Sequence, residues 1–151
     1  MGLPANILQV EGLVRAAPDN RDLLVLACMA YSGMAIIIED DAPMRAAALY
    51  AKGQAYGMRA LGQHHGFRKA RDAGQPFEAA VRKIDSKSYL PALLWTGVNW
   101  AQGINLRLDD PMALVDGAKV KALMDQVVSI DTDYFHGLAH VIRGAYFTMM
   151  P

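Results

Sequence analysis

Apolar residues recur along this chain with a helical period, most clearly near its C-terminal end. Val120, Leu123, Met124 and Val127 fall at i, i+3, i+4 and i+7, one stripe of an α-helix. Ser129-Ile130-Asp131-Thr132-Asp133 then stops that helix and supplies side-chain oxygens to cap the next. Tyr134, Leu138, Val141, Ala145 and Met149 form a second stripe, with Gly137 and Gly144 beside it where another backbone could approach. Two helices meeting at an Asp/Thr turn form a helical hairpin, a unit that stacks rather than catalyses.

The same period predicts helices almost throughout. The first runs from about Pro4 to Arg15 and ends before Pro18-Asp19-Asn20. The second fills Arg21 to Glu39. Asp41 is expected to cap the third, whose face is Ala46, Leu49, Tyr50, Gly53, Gly57, Ala60 and Leu61. His64 to Gln75 reads as a polar, glycine-punctuated loop, with His64 and His65 solvated. Pro76 opens a short helix to Ile84, and Asp85 to Ser88 breaks the chain. A long helix covers about Tyr89 to Leu108. Asp109-Asp110-Pro111 precedes a short helical turn to Asp116 and the terminal hairpin. No segment alternates with period two, so an all-α fold without sheet is predicted.

Composition adds a core and removes some partners. The chain has 151 residues, 53% of them hydrophobic and 20% charged, enough for one domain with a sizeable interior. Fifteen basic and fifteen acidic residues cancel without a basic patch, which argues against nucleic acid. Leu23 to Ile38 is apolar except for Ser32, but it is shorter than a spanning helix and flanked by Asp22 and by Glu39, Asp40 and Asp41. It reads as a central buried helix. Cys28 lies within that run as a small buried hydrophobe. The Asp40–Asp41 and Asp109–Asp110 pairs precede proline-containing helix starts and read as caps, not acid/base pairs. No phosphate loop or catalytic constellation is present, so an enzyme is not expected, nor a cofactor.

Helix pairing repeats loosely. Pro18-Asp19-Asn20 followed by Leu24, Ala27 and Tyr31, and Ile130 to Asp133 followed by Leu138, Gly144 and Tyr146, both echo half of a tetratricopeptide repeat. More specific are the Glu39-Asp40 turn before Leu49-Tyr50, the ending Tyr56-x-x-x-Ala60-Leu61, Leu94-Trp95-Thr96 with Trp100, and Asp131-x-Asp133-Tyr134 with Gly137, His140, Gly144 and Tyr146. In this order, across most of residues 30–151, they resemble the TRAP transporter T-component family, also called TatT.

That resemblance implies an α-helical bundle of stacked, tetratricopeptide-like hairpins. It implies a periplasmic, often lipid-anchored accessory of a tripartite ATP-independent periplasmic solute transporter. The expected partner is the substrate-binding subunit, and a ring-like trimer known in the family makes a homo-oligomer the expectation here. The chain differs from the family in showing no lipoprotein signal. Family members also continue beyond the position of Pro151. The chain is therefore expected to be the N-terminal portion of a longer family-type domain, or to cover its last apolar face with another copy.

The long helix carries the main candidate site. Ala92, Thr96, Asn99 and Gly103 form a narrow stripe of small or polar residues, flanked by Trp95 and Trp100. Such a stripe either admits another helix closely, with Asn99 bonding across the contact, or lines a cavity for a small apolar or organic-acid ligand. His140 is expected as a packed, hydrogen-bonded histidine. His136 and His140, four apart, have chelate spacing but no further ligands, so no metal is expected. Arg143 either meets an anionic solute or pairs with a carboxylate across the hairpin. The resulting reading is a non-enzymatic TRAP transport accessory. The alternative is a generic cytoplasmic helical-repeat scaffold for protein–protein interaction.

Overall fold

The computed structural model describes residues 5–149, with side chains through residue 145. Nine α-helices follow one another among the described residues: α1 Ala5–Ala16, α2 Arg21–Ile38, α3 Pro43–Leu61, α4 His65–Asp72, α5 Phe77–Arg82, α6 Leu90–Asn105, α7 Pro111–Val115, α8 Gly117–Ile130 and α9 Leu138–Met149. Short 3₁₀ turns at Lys87–Tyr89 and Tyr134–Gly137 lead into α6 and α9. No strand occurs among these residues, and the fold class is all-α. The predicted start at Pro4 and the side chains of Tyr146 and Met149 lie outside the described set.

Local chemistry explains most helix ends. The Asn20 side chain accepts a hydrogen bond from the Leu23 N–H at 3.1 Å, satisfying one orphan donor of α2. Asp110 does the same for the Met112 N–H of α7 at 3.0 Å. Asp41, in contrast, caps nothing. Ala42 is the cap residue of α3, without a side-chain bond, and Pro43 starts the helix by fixing φ.

The segment read as a loop from His64 to Gln75 contains α4. Its apolar residues Phe67 and Ala70 are three apart and both buried, which is enough to seat a two-turn helix. His64 caps it, its Nδ1 accepting from the Phe67 N–H at 3.1 Å. His64 is therefore not a solvated loop residue: it is half-buried, its ring edge-on to Tyr89 at 5.0 Å. His65 is exposed.

The helices pack mainly in sequence. α1 lies on α2, α2 and α3 form the longest hairpin, and α6 packs against α3, α2 and α8. α9 packs on α8, while α4 and α5 pair with each other and α5 rests on α8. Leu24, Leu61, Phe67, Val81, Leu93, Leu94, Leu123 and Met124 belong to the main core. A smaller core of Ile7, Tyr31, Ala35, Ala46, Leu49 and Tyr50 joins α1 to the α2–α3 hairpin. There Glu11 accepts from the Tyr31 hydroxyl and pairs with Lys52 at 3.0 Å. The α2 helix is long and apolar enough to cross a membrane by composition; it is not the central buried helix expected, because only 39% of that window is buried, where α2 meets α1, α3 and α6, and its other face is exposed.

Candidate functional site

α6 is the structural axis, and each of its faces meets a different neighbour. One face carries Ala92, Thr96, Asn99 and Gly103, all buried. Opposite them, α3 presents Gly53 and Gly57. A Cβ on Gly57 would fall 2.1 Å from Thr96 Oγ1, and one on Gly53 would fall 2.8 Å from Asn99 Oδ1. The two helices approach so closely because these glycines leave room. Thr96 folds its hydroxyl back to donate to the Ala92 carbonyl at 2.6 Å. Asn99 uses its amide NH₂ toward the Cys28 carbonyl and the Trp95 carbonyl, each at 3.1 Å, and toward Cys28 Sγ at 3.1 Å. Asn99 Oδ1 is buried without a hydrogen-bond partner. Burial pushes the Cys28 thiol up to about 12, against the Asn99 contact, so the thiol stays protonated and unreactive. Thr96, Asn99 and Gly103 thus face α3, not open space.

The remaining predicted residues hold the neighbouring helices. Trp95 is half-buried and meets the Phe135 ring edge-on at 5.5 Å, tying α6 to the turn before α9. Trp100 points elsewhere. It is buried, edge-on to Phe77 at 5.7 Å, with the Lys119 ammonium 5.7 Å from its ring centre. Five residues along a helix is a rotation of about 140° beyond a full turn, so the two tryptophans do not line one space.

His140 Nε2 lies 3.0 Å from both the Thr132 carbonyl and the Thr132 hydroxyl, anchoring the first turn of α9. His136 is not on that helix. Phe135 (φ 52°), His136 (φ 57°) and Gly137 (φ 75°) run through the left-handed region, so α9 begins only at Leu138. The i, i+4 spacing of His136 and His140 therefore does not put their rings on one helix face. Arg143 Nε stands 2.7 Å from Asp125 Oδ1, an ion pair across the α8–α9 hairpin whose angle is too poor for an aligned hydrogen bond. Asp125 also takes Lys121 at 2.8 Å.

Held this way, α6 and α9 leave a groove of about 330 Å³ between them. Val98, Ala101, Gln102 and Asn105 form its α6 wall, and Leu138, Val141, Ile142 and Ala145 its α9 wall. Apolar walls with two amide groups suit a small, partly apolar molecule. The α6 set falls at i, i+3, i+4 and i+7, so it was legible as a stripe. The small-residue stripe on the adjoining face has a clearer composition and draws the eye first. A second groove of about 500 Å³, between α5 and α8, is charged instead, with Glu78, Arg82, Lys121 and Asp125 along it.

The family model of the TRAP transporter T-component matches residues 1–151. The chain belongs to this family. No curated protein matches it. Its conspicuous polar residues, Thr96, Asn99, His140 and Arg143, each hold one helix to its neighbour or to its own turn.

Proposed function

We propose that this T-component is a non-enzymatic accessory of a TRAP-type solute transport system, acting in the periplasm by binding the substrate-binding subunit. The observation that carries this reading is the family match along the whole chain. Its stacked hairpins are read as tetratricopeptide-like, a scaffold suited to protein–protein contact. It assembles as a homo-oligomer, with a trimer as the expected number. The α6–α9 groove is the place for a small apolar or organic-acid ligand. Trp95, His140 and Arg143 position its α9 wall, and Thr96, Asn99 and Gly103 seat α6 on α3 behind it.

The test has two arms. Titration calorimetry with the TRAP substrate-binding subunit from the same genome should show saturable binding; no binding would return the reading to a generic scaffold. An apolar fluorescent probe should bind the groove and lose affinity in Val141→Arg, since Val141 is 68% exposed and its replacement leaves the core intact. Probe affinity unchanged by Val141→Arg would exclude the groove.

A further inference from the structure

Among the described residues, the outer face of α2 is apolar and exposed, bordered by Asn6 and Ile7 of α1. Leu26, Met29, Gly33, Ile36 and Ile37 fall at i, i+3, i+7, i+10 and i+11, along about 16 Å of one helix face. Ile36 is 56% and Ile37 76% exposed, and Met44, just past the turn into α3, is 73% exposed. Single exposed apolar residues are ordinary; a continuous stripe on one helix marks an interaction surface. Gly33 sharpens the point. Glycine is a poor helix residue, and the fold makes no use of this one, because a Cβ there would meet nothing within 4 Å. Gly53, Gly57 and Gly97 each have a neighbour that needs their space, whereas Gly12 and Gly144 are open like Gly33 but do not lie on this stripe. An approaching backbone from outside would use the space at Gly33.

Charge selects the occupant. Asp22 lies before the stripe and Asp40 and Asp41 after it, all exposed, and α2 has no basic residue in its last turn. Of the cations flanking the stripe, Arg21 lies over the Tyr89 ring at 4.5 Å, and Arg45, next to Met44, is half-buried with an interaction of its own. A second copy of α2 would set carboxylate against carboxylate at both ends, whether it ran parallel or antiparallel. An anionic lipid surface would be repelled in the same way. We propose that this face docks a partner protein presenting an apolar helix with basic residues at both ends, separated by about 24 Å, the helical rise from Asp22 to the end of α2 at Ile38. The proposal stands on the chemistry of this face and does not depend on which transport subunit the T-component meets.

The test uses the full chain and two synthetic helical peptides with the same leucine–alanine stripe, one ending in lysine pairs and the other in glutamate pairs. Fluorescence anisotropy should show saturable binding of the lysine-ended peptide that weakens with salt, and binding of its twin weaker by about tenfold or more. Gly33→Leu and Ile37→Gln should each weaken the lysine-ended peptide by about tenfold. Both side chains point into open space, so melting temperatures should hold. Equal binding of the two peptides, or binding of neither, overturns the proposal. So does light scattering in which Ile37→Gln dissolves an oligomer, since a second copy then owns the face. Binding to phosphatidylglycerol vesicles that Ile37→Gln abolishes would assign the face to lipid and overturn it likewise.

Discussion

Gly57 and Gly33 both sit inside helices, and their surroundings differ completely. Gly57 faces Thr96 at a distance no Cβ tolerates, whereas Gly33 faces open space. Gly57→Ala should therefore destabilise the fold by about 1–3 kcal/mol, because Thr96 must abandon either its rotamer or its bond to Ala92. Gly33→Ala should stabilise it by up to about 1 kcal/mol through helix propensity alone. Urea denaturation of the two variants reads both signs; equal effects would mean that the α3–α6 contact is looser than the structure shows. His64 offers a pH-dependent counterpart. Burial chiefly holds its pKa below the ordinary 6.5, opposed by Asp85, and its Nδ1 accepts the Phe67 N–H only when unprotonated. Its contribution is complete above the unfolded value of 6.5 and lost as pH falls through the lower folded value. Melting temperature should thus decline as pH falls below the ordinary 6.5, and His64→Asn, which keeps a capping acceptor, should flatten that decline. An unaltered profile in His64→Asn would place the pH response elsewhere.

The order of α2, α3, α6 and α8 was legible in the apolar spacing, although α6 stops at Asn105, short of the expected Leu108. α4 was not, because an eight-residue helix with two buried apolar residues, and a histidine for its cap, looks like polar loop. The start of α9 was misplaced for another reason. Tyr134 fits the stripe by spacing, but three successive left-handed residues separate it from the helix, and period counting cannot detect a change of hand. Gly137 is the residue that makes this turn inexpensive, with φ at 75°. Gly137→Ala should cost about 1 kcal/mol. Because Trp95 packs on Phe135 within the same turn, indole fluorescence should shift with it. A stability loss without a spectral change would separate the turn's backbone from its aromatic contact.

At the scale of the whole molecule, the described part of α9 leaves an apolar residue open at the edge of the stack. Val141 is 68% exposed beside the α6–α9 groove, and the expected consequence is self-association. Light scattering across a concentration series should return a multiple of the chain mass. A monomer throughout would remove the homo-oligomer from the proposed function and leave the groove to small ligands. The other end of the stack is held differently, by Glu11 receiving Tyr31 and Lys52. Those contacts, the Tyr31 bond foremost, keep the Glu11 carboxyl below its ordinary range, while burial first and Glu11 second push Tyr31 up to about 12. The attachment of α1 is consequently strongest between those limits, weakening in acid as Glu11 protonates and in strong alkali as Tyr31 ionises.

The sequence by itself determined that this chain is helical, which faces of the long helices are apolar, and which family it joins. Helical period, caps and ordered motifs are local properties, and they survive without knowledge of what lies opposite. Tertiary structure alone decided what each face meets. Ala92, Thr96, Asn99 and Gly103 look equally suited to a cavity or a crossing, and only the glycines of α3 standing opposite make them a crossing. Arg143 could have met a solute or a carboxylate, and only the α8–α9 hairpin brings Asp125 to it. The groove exists because two stripes distant in sequence run side by side, and the α2 stripe stays open because no element of the described chain packs over it. Side-chain burial is a property of pairs of surfaces, and a sequence supplies each surface without its partner.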